Sequence, residues 1–192
     1  MVFCHSMGGA VTALYLEAHP GVFDRAVMCA PMIAPNLRIM TKSMALALCR
    51  AEHARGNDKK RVFTSKPYAE KERFKTASTN GRERFDWYEE LRFNTPAFQN
   101  NGLTYGWLRE SIDVTDDILA PGAVEKIDAQ VMLYTAGLDH VVLPKPQKAF
   151  IDRVPQGEQR VVEGAKHEIY RTKDELLFPW WHEVLEYLSV TN

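Results

Sequence analysis

The sequence predicts an α/β fold with a mostly parallel sheet and a long helical insertion. Three observations lead there. Short apolar, strand-like runs alternate with helical stretches at both ends of the chain, as in strand–helix–strand crossover units. The stretch from 34 to 126 carries helical periodicity and polar loops but no strand-like run, and is too long for a simple connection. The chemically distinctive residues follow directly on strand-like runs, where loops gather at the C-terminal edge of a parallel sheet. Residues 1–33 and 127–192 are therefore read as the sheet-bearing core and 34–126 as the insertion.

Met1, Val2 and Phe3 read as the end of a strand, and Gly8-Gly9-Ala10 opens a helix running to Ala18, with Val11, Leu14 and Tyr15 at helical spacing. His19-Pro20-Gly21 stops it, because proline cannot continue the hydrogen-bond ladder. Arg25–Ala30 reads as a buried strand ended by Pro31. In the insertion, Ile39–Arg50, Arg82–Arg92 and Leu103–Ile112 read as helices, the second with Phe85, Tyr88 and Leu91 on one face. A loop is expected over Phe93–Gly102, and Arg50–Arg84 reads as a polar, cation-rich, solvated stretch. Strands return at Gln130–Tyr134 and Gln159–Val162, with a helix over Pro144–Val154 between them. Leu176–Leu188 reads as an amphipathic closing helix with Phe178, Trp181, Leu185 and Leu188 inward.

Composition bounds the function. The 192 residues are 45% hydrophobic and 26% charged with a net charge of −1, which suits one soluble domain and implies no global electrostatic partner. Nucleic-acid binding is not expected, since the cations are diluted by Asp and Glu and no groove-reading motif occurs. No apolar run reaches membrane-spanning length, and no signal peptide is read before the first strand. Cys4, Cys29 and Cys49 are scattered, with neither metal-ligand nor disulfide spacing. The expectation is a cytoplasmic protein with no metal and no cofactor. The cations of Arg50–Arg84 leave room for peripheral contact with a lipid surface.

Ser6 lies between the first strand and the first helix. A serine on such a strained turn projects its hydroxyl, and small neighbours such as Gly8 and Gly9 let the turn pack closely. Met7 follows at the helix N-terminus, where its N–H can hold developing negative charge. Alone, the motif is also compatible with a helix N-cap. Two further residues change its weight. Asp139 lies five residues beyond the strand read to Tyr134, and His167 five beyond the strand read to Val162. Ser, Asp, His in that chain order is the arrangement in which imidazole takes the serine proton and the carboxylate orients the imidazole. His140 competes as base but lacks a glycine loop before it; His5 borders Ser6; His19, His53 and His182 read as surface or packing positions.

The chain resembles the C-terminal part of a monoacylglycerol lipase or bacterial lysophospholipase of the serine α/β-hydrolase superfamily. The resemblance rests on His5-Ser6-Met7-Gly8-Gly9, Ala30-Pro31-Met32, Gly137-Leu138-Asp139 with Val141-Val142, and Gly164-Ala165-Lys166-His167-Glu168. Leu103-Thr104-Tyr105-Gly106-Trp107-Leu108-Arg109-Glu110-Ser111 is similar to a segment lining the cap in bacterial lysophospholipases. The resemblance implies a truncated α/β-hydrolase fold with a helical cap over the acyl pocket. It implies hydrolysis of a small lipid ester by Ser6, Asp139 and His167, with Met7 supplying an oxyanion N–H. His5, Phe98, Leu103, Tyr105 and Trp107 are the substrate-contact candidates, the three last-named and Phe98 also fitting a small helical core. Two departures stand out. Cys4 occupies the position of the family's glycine, and the strands and His-Gly loop that precede the elbow in the family are not in this sequence. Two consequences are expected: a homo-oligomer covering the open sheet edge, or, as the alternative function, a catalytically weak remnant used for binding or assembly. A thioesterase or carbon–carbon hydrolase on the same scaffold also fits the residues.

Overall fold

The computed structural model describes residues 1–65, 67–68, 70–100 and 102–189. Lys66 of the cation-rich stretch, Asn101 of the loop expected at 93–102, and the last three residues of the core range lie outside the described residues.

Among the described residues four strands, β1 (Val2–His5), β2 (Arg25–Cys29), β3 (Gln130–Ala136) and β4 (Gly157–Val162), form one sheet in the order β1-β2-β3-β4. Every pairing is parallel, with Phe3 opposite Val27, Val27 opposite Met132 and Leu133 opposite Gln159. Helix α1 (Met7–Ala18) joins β1 to β2, and α5 (Pro144–Ile151) joins β3 to β4. Between β2 and β3 lie α2 (Lys42–Ala54), α3 (Arg82–Asn94) and α4 (Tyr105–Ile118), and α6 (Asp174–Ser189) ends the described chain.

The sheet is covered on both faces, which explains why its central strands are apolar without alternation. Ala26, Met28, Val131 and Leu133 pack on one side with Ala13 and Leu16 of α1, Phe150 and Ile151 of α5, and Ile118 of α4. Val27, Cys29, Met132 and Tyr134 pack on the other with Leu177, Trp180 and Val184 of α6. Local signals set the helix starts. Thr41 and Thr104 accept hydrogen bonds from the N–H groups of Met44 and Trp107, which places α2 and α4 two to three residues later than the periodicity alone suggests.

Two helix faces depart from expectation. In α1 the buried residues are Gly9, Ala10, Thr12, Ala13, Leu16 and Glu17, whereas Val11 and Tyr15 are exposed. At its first turns the helix lies so close to its neighbours that only a small side chain fits: a Cβ on Gly9 would come within 2.3 Å of the Pro31 Cβ. In α6 the buried stripe is Leu177, Trp180 and Val184, flanked by the partly buried Trp181 and Leu188, while Phe178 and Leu185 face outward. The stretch expected to be a solvated face also differs at its end. Ala77, Thr79 and Gly81 are buried there, because the segment 77–81 packs on the loop that follows β4.

Candidate active site

Ser6 is the hinge of the turn from β1 into α1. Its backbone sits at φ 51°, a left-handed conformation that a non-glycine residue adopts at a cost. Three backbone hydrogen bonds hold it there. The Ser6 N–H donates to the Cys29 carbonyl at 3.2 Å, and the Ser6 carbonyl accepts from Gly9 and Met32, each at 2.8 Å. Met7 is the first residue of α1, so its N–H has no acceptor within the helix.

The other two residues arrive on loops at the same edge of the sheet. β3 extends to Ala136, two residues beyond its expected end, so Asp139 follows the strand by three residues rather than five. β4 ends at Val162 as expected, with His167 five residues beyond. The loops are joined by main-chain bonds from Gly137 to Val162 and from Leu138 to Ala165. The Ser6 hydroxyl lies 2.8 Å from His167 Nε2, and His167 Nδ1 lies 2.8 Å from Asp139 Oδ2. The side chains of His167 and Asp139 are only 6% and 1% exposed, so water competes little for this relay. Asp139 Oδ1 accepts from the N–H groups of Val141 and Val142 at 2.8 and 3.1 Å, fixing the carboxylate's orientation. Burial alone raises the Asp139 pKa, but the hydrogen bond and charge of His167, with these two N–H donors, outweigh it and leave the group below its ordinary value. Asp139 is thus an anion placed to hold the His167 tautomer with Nδ1 protonated and Nε2 free to accept from serine.

His5 lies between the rings of His167 and Tyr170, tilted to the first and edge-on to the second, at centroid distances of 4.8 and 4.9 Å, and its Nδ1 donates to the Cys29 carbonyl at 3.0 Å. Burial and then the proximity of His167 push its pKa down to about 4, only partly offset by the Cys29 carbonyl and Asp139, so His5 is neutral at pH 7. Cys4 lies behind the turn with Sγ directed at the Val27 carbonyl. Burial, partly opposed by Thr12, raises its thiol to about 11 and leaves it protonated and unreactive at pH 7. Trp107 Nε1 lies 3.3 Å from Met7 Sδ, which brings α4 onto the elbow. Tyr105 is buried with Cys49 and Val62, a packing position. Leu103 is exposed, its N–H bonded to Ser65. Phe98 lines a cleft of about 540 Å³ with Trp87, Tyr88, Arg92, Glu168 and Arg171. The described residues contain no cluster of His, Cys, Asp or Glu that could hold a metal.

A brace around the His167 loop was not legible in advance. Lys166 Nζ donates to the Ala77 carbonyl at 2.9 Å, the Glu168 N–H to the Ser78 carbonyl at 2.9 Å, and Asn80 Nδ2 to the Gly164 carbonyl at 2.6 Å. Thr79 bonds the Arg171 carbonyl at 2.6 Å, and the Thr172 hydroxyl bonds Asn80. The one cue in the sequence was the run of small polar residues from Thr76 to Gly81.

The family model described as serine aminopeptidase, S33, matches residues 1–174. This chain belongs to that family. As a member of the S33 family it has the α/β-hydrolase fold. It is 30% identical over 205 residues to lysophospholipase L2 of Escherichia coli, matching all of this chain but 58% of that protein. It is 21% identical to a probable lysophospholipase L2 of Haemophilus influenzae, again across the whole chain and 60% of the relative. The chain thus spans a little under two thirds of these relatives' length. Among solved structures, the monoacylglycerol lipase of Paleococcus ferrophilus aligns with a TM-score of 0.70 at 19% identity, covering 97% of this chain and 66% of the other. A soluble variant of the Saccharomyces cerevisiae monoglyceride lipase aligns at 0.71 and 16% identity, covering 97% and 63%. At these identities the structural likeness concerns the S33 member's fold.

Proposed function

We propose that this S33-family chain is a serine carboxylester hydrolase that works through an acyl-enzyme on single-chain lipid esters, a monoacylglycerol or a lysophospholipid, and on short-chain esters. The observation that carries the reading is the continuous relay from the Ser6 hydroxyl through His167 to the buried Asp139. Ser6 Oγ attacks the ester carbonyl as His167 Nε2 takes its proton, and the resulting oxyanion rests against the Met7 N–H. His167 then gives that proton to the departing alkoxide, leaving an acyl ester on Ser6. Water enters, loses a proton to His167, and attacks the acyl carbon; the same proton returns to Ser6 Oγ as the fatty acid leaves. The lipid class is supported by the relatives named as lysophospholipases and monoacylglycerol lipases. In this reading the helices between β2 and β3 form a cap, and Trp107 touches the bound acyl group. The exposed Phe63 within the cation-rich stretch, and the exposed Trp87 just beyond it on α3, suit transient contact with an anionic lipid surface.

A second reading has one observation in its favour. Among the described residues, Met7 is the oxyanion donor that the elbow itself presents, and loss of one such donor typically costs about 10²–10³ in rate. A weak remnant serving in binding or assembly would follow. p-Nitrophenyl butyrate and a fluorophosphonate probe separate the two. The hydrolase reading expects chromophore release and labelling at Ser6, both abolished in Ser6→Ala, with a fall in kcat of roughly 10⁴ or more. Unlabelled wild-type protein with turnover no greater than Ser6→Ala would favour the remnant.

A further inference from the structure

Gln147, on α5, is completely buried, and both ends of its amide are committed. Its Nε2 donates to the Pro31 carbonyl at 2.9 Å, and its Oε1 accepts from the Thr135 hydroxyl at 2.7 Å. Thr135 Oγ1 in turn accepts from Gln159 Nε2 of β4 at 2.9 Å. A long polar side chain in an apolar interior loses solvation, and it is retained at low cost only when every hydrogen bond is made. Here both are made, and they run between the two loops that bring Ser6 and Asp139 to the site.

One end of the amide reaches the nucleophile. Pro31 backs the elbow, so close to Gly9 that a Cβ there would meet the Pro31 Cα at 2.7 Å. The next residue, Met32, donates its N–H to the Ser6 carbonyl at 2.8 Å. Ala30, just before, is held at φ 43°, so this short segment is itself strained and needs external support. The other end reaches the acid. Thr135 is the last residue but one of β3 before the Asp139 loop, and Gln147 stands on the helix that leaves that loop. A single amide therefore clamps both sides of the Asp139 loop and ties them to the rear of the Ser6 turn.

We infer that Gln147 is a positioning residue, a buried strut that sets the spacing between the Ser6 turn and the Asp139–His167 pair. This rests on the hydrolase reading for its effect on turnover, but not for its effect on geometry. Without the strut the Pro31 segment keeps its Ile33 hydrogen bond and the fold persists, while the reacting groups lose register. Displacements of about 1 Å at such a site cost up to about 10²-fold in rate.

The test uses the whole chain. Gln147→Met keeps the length of the side chain and removes both hydrogen bonds, but leaves the Thr135 O–H without its acceptor while its oxygen still accepts from Gln159 Nε2. The double variant Thr135→Val, Gln147→Met removes that stranded group and returns thermal stability toward wild type. Two readouts are taken: kcat and KM on p-nitrophenyl butyrate, and the low-field proton resonance of His167 Nδ1–H on its bond to Asp139, which needs no turnover. A positioning role expects kcat in the double variant to stay down about tenfold to a hundredfold with KM within twofold, and the resonance to move upfield or broaden. If stability, kcat and the resonance all return to wild type in the double variant, Gln147 is a core residue and the inference is overturned. Wild-type protein with no turnover would overturn the hydrolase reading instead, and the resonance would still decide on the strut.

Discussion

At position 17, near the C-terminal end of α1, a carboxylate is buried with Oε1 lacking a hydrogen-bond partner among the described residues. Burial raises its pKa to about 7, with Arg153 and Lys126 pulling down and Glu125 and Asp117 pushing up. The folded state thus holds a proton that the unfolded chain releases near 4.5. Stability from this group is complete below pH 4.5 and lost as pH rises through about 7. Glu17→Gln is expected to change nothing at pH 4 and to raise stability at pH 8 by roughly 1–2 kcal/mol, discounted for the nearby cations; urea denaturation at the two pH values checks both signs. His5 acts in the opposite sense. Its neutral form is favoured in the fold, so its contribution is present above pH 6.5 and lost as pH falls toward about 4. The residues of the relay were readable from the sequence because strand ends and chain order constrain them: Ser6, Asp139 and His167 each follow an apolar run. Gln147 and Glu17 were not, because a polar residue's burial is decided by segments far away in the chain.

At the scale of elements, the brace from 77 to 81 has the most to say about mechanism. It holds the His167 loop from the side opposite the sheet, and α3 adds to it through the Arg171 guanidinium over the Tyr88 ring at 4.1 Å and the Arg84–Asp174 pair at 2.6 Å. Gly81 is where the backbones meet most closely: a Cβ there would come within 2.2 Å of the Arg171 carbonyl and 2.7 Å of the Thr172 carbonyl. Neither neighbour is a flexible side-chain tip, so Gly81→Ala must shift main chain. The expected result is a loss of about 1–3 kcal/mol in stability with a fall in kcat, measured by thermal unfolding and ester turnover on one preparation. Element identity was well marked in the sequence, since the crossover units and turn residues fix it locally. Faces were less so. The α1 reading sought large apolar residues at helical spacing, but a helix pressed against its neighbours buries its small ones, and Val11 and Tyr15 are left outside. The brace itself was hidden because its hydrogen bonds run to carbonyls more than 80 residues away in the chain.

Across the whole molecule, the strand that leads into Ser6 lies at the rim of the described sheet. Among the described strands β1 pairs with β2 alone, and Phe3 on it and Met1 just before it stand partly exposed. An unpaired strand edge with apolar neighbours is a template for association. We expect the isolated chain to self-associate at micromolar concentration, and Phe3→Lys to lower the mass seen by light scattering; a compact monomer down to low micromolar would argue otherwise. The link between α4 and the elbow has a different outcome. Met7 is half exposed, and its sulfur faces the Trp107 indole N–H. Peroxide converts such a thioether to a sulfoxide, whose oxygen is a far stronger acceptor than sulfur. Oxidised protein should therefore bind Trp107 more tightly and lose turnover until a sulfoxide reductase restores it, with Met7→Leu resistant. The contact that seats the helix over the serine would then double as the place where oxidative damage locks it down.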